Sequence, residues 1–201
     1  SKGYSNTDKQ PVEHVRWNEA IEFCNKLSQN QSLTPVYTTN RKGVVTPDWN
    51  ANGYRLPTEA EWELACRGSP TNTTTFYWGS DESQATIKQY AWYNKNADKG
   101  SWTSPHADKE GPQMVGTKLP NAFKLYDMCG NVWEWCWDWY GPYDTTTPTD
   151  PRAATARPES RVFRGGGWAD WGSSEDDLCS SHRSWADPGY SANNLGFRVV
   201  R

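Results

Sequence analysis

Residues 133–139 read Trp-Glu-Trp-Cys-Trp-Asp-Trp, and this strict alternation constrains the fold more than any other feature of the chain. In an extended strand, successive side chains point to opposite faces. Four tryptophans therefore share one face, while Glu134, Cys136 and Asp138 share the other, which predicts a core strand. The chain has 13 Trp and an aromatic content of 14%, although only 35% of its residues are apolar. We expect a core that relies on few, large side chains.

Length and charge limit the classes of function. The 201 residues suit one domain, 1–201, and a monomer is the default expectation. A net charge of −3 without a basic run argues against a nucleic-acid partner. A mean hydropathy of −0.95, with no apolar stretch of about 18 residues, argues against a membrane span, and Ser1 begins no recognisable signal peptide.

Cysteine and histidine spacing gives little support for a metal centre. The five cysteines are Cys24, Cys66, Cys129, Cys136 and Cys179. They include no Cys-x-x-Cys pair, and their odd number leaves at least one unpaired. The three histidines lie far apart, so local spacing defines neither a His-x-x-x-His helix site nor a three-histidine centre. Iron or zinc chemistry is therefore not expected.

Two helices are predicted, both in the first third of the chain. Apolar residues at helical spacing follow the candidate cap Asn18 and indicate a first helix over 18–27. Thr58 and Glu61 have capping-box spacing and indicate a second helix that ends near Gly68. No further helix is predicted beyond Gly68.

The rest of the chain reads as short strands and loops. Loops or a short hairpin are expected within 37–54, and surface loops at 69–78, 94–112 and 144–158. Strands at 161–164 and 196–200 bracket a 31-residue insertion, 165–195, which mixes three Trp with small polar residues. This composition fits either a binding surface or a loop that packs its Trp into the core.

Several motifs are too specific to be generic. They are Pro11-Val12, Tyr-Arg-Leu-Pro-Thr-Glu-Ala-Glu-Trp-Glu at 54–63, Gly-Asn-Val-Trp-Glu-Trp within 121–139, Arg-Gly-Gly at 164–166 and Asn-Leu-Gly-Phe-Arg at 194–198. Together they resemble the formylglycine-generating enzyme (sulfatase-modifying factor) domain family, from Pro11 to Arg201. The resemblance implies an α+β fold that is a variant of the C-type lectin fold, with two helices, small antiparallel sheets and extensive loops.

The resemblance also bears on catalysis. Enzymes of the family depend on two redox-active cysteines after Arg-Gly-Gly, because a thiolate of low pKa binds copper and attacks oxygen-derived intermediates. The spacing from Arg164 and Arg183 places Asp170 and Glu175 at those positions, and a carboxylate cannot do thiolate chemistry. The resemblance therefore implies that the chain is not an enzyme and uses neither copper nor an organic cofactor. A family enzyme with altered oxidase chemistry is the alternative.

The branch of the family that fits is the variable proteins of diversity-generating retroelements, whose last segment is diversified by adenine-directed mutagenesis. The corresponding segment here is about 167–191, and the resemblance implies an unidentified protein or glycan ligand and a cell-surface or secreted location. The expected binding residues are Asp170, Trp171, Ser173, Ser174, Asp176, Asp177, Ser184, Trp185, Asp187 and Tyr190. Trp171 and Trp185 are either ligand anchors or core supports. The segment has five acids and one base, so we expect a basic or hydrogen-bond-rich partner.

One metal site is also implied by the resemblance. The family holds a calcium ion in the loop before the Trp-rich strand, and the matching positions are Asp127, Gly130, Val132 and Glu134. Two carboxylates with two backbone carbonyls suit a hard cation that prefers oxygen ligands. Alternatively, Glu134 accepts hydrogen bonds from loop backbone N–H groups. A calcium-dependent glycan-binding lectin is a third hypothesis, although the chain lacks the Glu-Pro-Asn and Gln-Pro-Asp sugar motifs.

Overall fold

The computed structural model describes residues 9–97, 111–143, 157–169 and 175–201. In these ranges the helices are α1 Trp17–Asn30, α2 Glu59–Arg67, α3 Gln84–Tyr90 and α4 Asn94–Ala97, and Glu175–Leu178 is a 3₁₀ helix. The strands are β1 Tyr37–Thr39, β2 Val45–Pro47, β3 Trp133–Tyr140, β4 Arg157–Arg164, β5 Arg183–Ala186 and β6 Leu195–Gly196. None of the helices in these ranges combines the length and the hydropathy that crossing a membrane requires.

Both predicted helices are present. Helix α1 runs from Trp17 to Asn30, so the prediction of Asn18 as its cap is wrong: Arg16 is the N-cap and Asn18 lies in the first turn. At the start of α2, the Glu61 backbone N–H donates to Thr58 Oγ1 at 3.2 Å, and the Thr58 N–H donates to Glu61 Oε2 at 2.8 Å. Gly68 ends α2 in the left-handed conformation with φ 66°. This reciprocal cap and glycine stop confirm the second prediction at both ends.

The prediction of no helix beyond Gly68 is wrong. Ser83 caps the start of helix α3, and its Oγ accepts from the Thr86 N–H at 3.4 Å. Only Ile87 of α3 is fully buried, so the sequence carries no amphipathic repeat that would reveal this helix. Helix α4 has four residues and lies at the start of the predicted loop 94–112.

The strands form two sheets. Strands β1 and β2 make an antiparallel hairpin, as expected within 37–54. The larger sheet has the order β5-β4-β3-β6, in which β6 runs parallel to β3 and the other pairs are antiparallel. The expectation of purely antiparallel sheets is therefore wrong at β6. With two residues, β6 is too short for an alternation pattern, and its partner lies far away in the sequence.

Strand β3 contains the predicted tryptophans but is interrupted by a bulge. Its register with β4 shifts between Trp135 and Trp139. Within this interval, the Trp137 N–H donates to the Pro57 carbonyl at 2.8 Å. The bulge therefore joins the middle of the sheet to the start of α2.

The larger sheet lies between two apolar clusters. Trp133 and Trp135 pack with α1 on one face, whereas Cys136 and Val162 pack with α2 and α3 on the other. Three fully buried indole N–H groups have oxygen partners, as burial of a donor requires. The pairs are Trp17 with the Cys136 carbonyl (2.9 Å), Trp62 with Glu134 Oε2 (2.6 Å) and Trp135 with the Val15 carbonyl (2.9 Å).

Candidate functional site

The segment 167–191 leaves β4 through a fixed turn. Gly165 and Gly166 both have left-handed backbones, with φ of 101° and 77°. A Cβ on Gly165 would lie 3.0 Å from Cζ2 of Trp62 and 3.2 Å from the Met128 carbonyl. Both the backbone and the close packing therefore favour glycine here, which explains the Arg-Gly-Gly motif.

The Arg164 side chain fixes the place where the segment returns to the sheet. It is fully buried, and its guanidinium donates to the carbonyls of Ser180 (3.0 Å), Ser181 (2.7 Å) and His182 (2.5 Å). The same guanidinium pairs with Glu63 of α2. A planar guanidinium can hold several oxygens at once, so one side chain links β4, α2 and the returning backbone.

A second ion pair anchors β5. Arg183 donates to both carboxylate oxygens of buried Glu59, at 2.8 and 2.5 Å, and to the Gly141 carbonyl at 2.8 Å. Its Cζ lies 4.7 Å from the ring centroid of Tyr140 and 4.3 Å from that of Tyr143. Burial alone lowers the pKa of Arg183, but the Glu59 carboxylate outweighs it and raises this pKa. A charged, hydrogen-bonded pair therefore holds the segment in place at β5.

Residues of the segment line a cavity of about 440 Å³ together with residues of β3, β4 and β6. Trp133 and Phe163 contribute aromatic rings to its wall, with centroids 5.1 Å apart in an edge-to-face arrangement. Its described polar lining residues are Asp177, His182, Ser184, Tyr190, Asn193 and Asn194. An aromatic surface with a few convergent polar groups is typical of a ligand site.

His182 and Asp177 form the charged part of the lining. His182 Nε2 lies 3.4 Å from Asp177 Oδ1, and the imidazole centroid is 5.7 Å from that of Trp133. The pair can offer a carboxylate acceptor and an imidazole that acts as donor or acceptor. Both residues are only partly buried, so a ligand in the cavity can reach them.

The structure divides the predicted binding residues into three groups. Asp177, Ser184 and Tyr190 line the cavity, as a shared binding face requires. Asp176 and Asp187 are exposed but are not among the residues that line it. Trp185 is 41% exposed and stacks on Tyr140, with centroids 4.2 Å apart, whereas its neighbour Ser184 reaches the cavity. The remaining predicted binding residues lie outside the described ranges: Asp170, Trp171, Ser173 and Ser174.

One of the two positions that hold cysteines in the family enzymes is described. Glu175 starts the 3₁₀ helix and pairs with Lys95 of α4. The hydrogen bond from Lys95 lowers the pKa of Glu175. The carboxylate is thus an ion-pair partner in this arrangement. Asp170, at the other position, is outside the described ranges.

Sequence reasoning missed three polar residues among the described lining of the cavity: His182, Asn193 and Asn194. His182 carries no local signal, because a single histidine in a loop is common on protein surfaces. Asn193 and Asn194 adjoin the Asn-Leu-Gly-Phe-Arg motif, which marked them without showing their role. Asn194 Nδ2 donates to the Ala169 carbonyl at 2.7 Å, and the Asn193 carbonyl accepts from Trp168 Nε1 at 3.0 Å. These two hydrogen bonds connect Trp168 and Ala169, at the beginning of the segment, to the residues just before β6.

Two of the predicted calcium residues, Asp127 and Glu134, lie beside Arg198. Glu134 receives two hydrogen bonds from Arg198, Nε to Oε2 at 2.5 Å and Nη2 to Oε1 at 2.6 Å, and a third from Trp62 to Oε2. A carboxylate has about four acceptor positions, so one remains on Oε1. Asp127 Oδ2 accepts from the Gly116 N–H at 2.7 Å, while its buried Oδ1 has no hydrogen-bond partner among the described residues.

This donor set fits a hard cation, because a buried carboxylate oxygen without a partner is costly. Within the described ranges, no group of three or more His, Cys, Asp or Glu side chains is placed to hold a metal. A calcium ion would therefore need the backbone carbonyls of Gly130 and Val132 together with Asp127 and Glu134. The positive charge of Arg198 on the same carboxylate opposes tight binding.

Known proteins share both sequence and fold with this chain. The sulfatase-modifying factor enzyme 1-like domain matches residues 1–201. The chaperone protein LppX of Paenibacillus barcinonensis is 35% identical over 214 residues, which cover 96% of this chain and 70% of LppX. The formylglycine-generating enzyme of Mus musculus is 33% identical over 194 residues, which cover 94% of this chain but only 44% of the enzyme.

Among solved structures, Treponema denticola variable protein 1 superposes with a TM-score of 0.79 and 35% identity, covering 99% of this chain and 74% of that protein. The relatives thus include a variable protein and a chaperone as well as enzymes. The family assignment made from the motifs is confirmed, and it agrees with a mixed fold of few helices and small sheets. The chain belongs to the sulfatase-modifying factor (formylglycine-generating enzyme) family.

Proposed function

We propose that the chain is a noncatalytic ligand-binding protein on a C-type lectin-like scaffold, with 167–191 as its diversified segment. The observation that carries this proposal is the cavity of about 440 Å³, in which Asp177, Ser184 and Tyr190 of this segment meet an aromatic wall. None of the described residues that line it is a cysteine. Treponema denticola variable protein 1 is named as variable, and this chain covers 74% of it at 35% identity.

Because the segment is held by its backbone, changes of its exposed side chains should cost little folding free energy. Arg164 binds the backbone carbonyls of Ser180, Ser181 and His182, and every residue type has such a carbonyl. Side chains such as Asp176 and Asp187 are exposed. Exposed substitutions usually change the free energy of unfolding by no more than about 0.5 kcal/mol. Different side chains can therefore be displayed while the backbone stays in place.

Net charge indicates the class of ligand. The segment carries five acids against one base, and Arg183, the base, is already paired with Glu59. Asp177 is the acid among the described residues that line the cavity, and Asp176 and Asp187 are exposed elsewhere on the segment. A protein ligand with a basic or hydrogen-bond-rich patch is therefore favoured over an acidic one.

Deep sequencing of the gene segment for 167–191 and its flanks, from many cells of one culture, tests the proposal. We expect changes confined to adenine-derived codon positions of the segment, with Trp168, Trp171, Glu175 and Trp185 constant because adenine changes in an AAC or AAT codon do not reach them. A uniform segment would contradict diversification and leave a binder of fixed specificity. Oxygen consumption with a cysteine-containing peptide and added copper would instead support the altered-oxidase alternative.

We propose further that Asp127, Glu134 and the carbonyls of Gly130 and Val132 hold a calcium ion. Calcium sites of extracellular modules have Kd values of about 10⁻⁴–10⁻³ M. At about 10 mM calcium, such a site would stabilise the fold by about 1.4–2.7 kcal/mol. We expect a higher Tm with calcium than with the same concentration of magnesium, and no difference in Asp127→Ala. An equal Tm in both salts for the unsubstituted protein would contradict the site.

A chaperone role is the second candidate. LppX is named as a chaperone, and this chain has exposed apolar side chains that could contact an unfolded client. They include Val115, Leu119, Phe123 and Tyr126, each 42–50% exposed. Suppression of aggregation of a chemically denatured reporter enzyme at equimolar ratio would favour this role. Leu119→Ser together with Phe123→Ser should then abolish the suppression, whereas Ser184→Ala should not.

A further inference from the structure

Two cysteines from distant parts of the chain meet in the apolar cluster that packs with α2 and α3. Cys66 lies near the end of α2, and Cys129 lies in the loop before β3, 63 residues later. Their Sγ atoms are 3.8 Å apart, and both residues are buried, with 0% and 1% exposure. Each thiol is therefore the other's neighbour in an environment without water.

The backbone on both sides of this pair is anchored. The Asn121 side-chain amide donates to the carbonyls of Ala65 and Cys66, at 2.5 and 2.9 Å. On the other side, the Gly130 N–H donates to the Gly165 carbonyl at 2.7 Å. A disulfide needs its sulfurs about 2.05 Å apart, so the gap must close by about 1.8 Å.

The two thiols differ in acidity. Burial alone raises the pKa of Cys66, but the hydrogen bond from Cys129 and the charges of Arg164 and Arg198 are among the effects that outweigh it and lower this pKa. Burial and the interaction with Cys66 raise the pKa of Cys129. In the folded chain, Cys66 therefore carries the more acidic thiol of the two.

We propose that Cys66 and Cys129 form a disulfide that locks α2 to the loop before β3 in an oxidising environment. The oxidant is a small-molecule disulfide, such as oxidised glutathione, acting before the core closes. The Cys66 thiolate attacks one sulfur of the oxidant and releases one thiolate, which gives a mixed disulfide. The Cys129 thiolate then attacks Sγ of Cys66 and releases the second thiolate. Two protein thiols are oxidised, and one disulfide is reduced to two thiols.

The bond would close a long loop, and loop closure in the unfolded state is the usual source of disulfide stabilisation. We expect the oxidised protein to have a Tm about 5–15 °C above that of the reduced protein. The bond would also restrict the backbone that contacts the Arg-Gly-Gly turn, because the N–H of Gly130, the residue after Cys129, donates to the Gly165 carbonyl.

The test is refolding of the full chain with oxidised glutathione, followed by acid quenching, alkylation of free thiols under denaturing conditions and peptide mass spectrometry. We expect three alkylated cysteines and one cross-linked peptide pair that joins Cys66 to Cys129. A reducing agent should lower the Tm of the unsubstituted protein and of Cys24→Ala. The same reagent should leave the Tm of Cys129→Val unchanged.

Cys24 is the matched control because it is fully buried but lies in the other apolar cluster. Five alkylated cysteines after oxidative refolding would overturn the proposal, as would a cross-link that involves Cys136 or Cys179. The peptide analysis uses the unsubstituted chain, so it decides the question even if Cys129→Val does not fold.

Discussion

Removing the charge of Glu59 should destabilise the fold more than any surface substitution. Glu59 is 2% exposed, and its carboxylate accepts two hydrogen bonds from Arg183 and one from Tyr143. Arg164 Nε lies 3.6 Å from the same carboxylate. Breaking a buried ion pair by removing one partner costs about 3–5 kcal/mol. Arg183 keeps the Gly141 carbonyl and its stacking on tyrosines, so we expect about 3 kcal/mol for Glu59→Gln.

The assay is urea unfolding at pH 7 monitored by tryptophan fluorescence. Glu59→Gln should lower the midpoint at unchanged m-value, because the surface exposed on unfolding is the same. Glu82→Gln is the control, since Glu82 is exposed and the substitution is chemically identical. We expect this control to lie within about 0.5 kcal/mol of the unsubstituted protein.

A double-mutant cycle separates the ion pair from other effects. If Glu59 stabilises mainly by pairing with Arg183, then Glu59→Gln combined with Arg183→Met should cost less than the two single substitutions added together, by about 2 kcal/mol. A loss below about 1 kcal/mol for Glu59→Gln, or additive effects in the cycle, would refute the assignment of this pair as the anchor of β5.

Three further predictions concern the cap, the turn and the cavity. Burial alone raises the pKa of Glu61, but hydrogen bonds from Arg55 and Thr58 lower it below 4.5, so Glu61→Gln should cost about 1 kcal/mol at pH 7. This difference should shrink as the pH falls through the native pKa, as urea titrations from pH 7 to pH 3 would show. Gly130→Ala should cost about 2–4 kcal/mol in the same assay, because its φ is 80° and the added Cβ would lie 2.3 Å from the Trp92 carbonyl oxygen. Ser184→Ala should change the unfolding free energy by no more than about 0.5 kcal/mol, and a larger change would contradict its role as a replaceable lining residue.

Local signals account for the parts of the fold that could be predicted. The cap of α2 depends on Thr58, Glu61 and Gly68, which lie within one short stretch, and the alternation of β3 is likewise visible in eight consecutive residues. Helix α3 could not be found in the same way because Ile87 is its only fully buried residue. The parallel pairing of β6 depends on tertiary contacts that no local pattern encodes.

For the candidate site, the sequence predicts the segment 167–191 but does not show which of its side chains share a face. The sequence predicts Ser184 on the binding face and leaves Trp185 as either a ligand anchor or a core support. As consecutive residues of a strand, the two point to opposite sides. The sequence Arg-Ser-Trp-Ala is too short to reveal this strand by alternation. The meeting of Cys66 and Cys129 across 63 residues was equally invisible, because spacing along the chain says nothing about a contact made through the core.

The anchoring of 167–191 explains how stability and sequence change can be separated in one segment. Ser181 is exposed, yet its carbonyl is held by fully buried Arg164. The contact thus depends on the identity of Arg164 and on the backbone at 180–182, but not on which side chain stands there. A lysine has one ammonium group and cannot reproduce the planar fork that spans three carbonyls and Glu63. Arg164→Lys should therefore release the returning backbone, whereas Ser181→Ala should not. Greater protease susceptibility of Ser181→Ala than of Arg164→Lys would show that side chains, rather than the backbone, hold the segment.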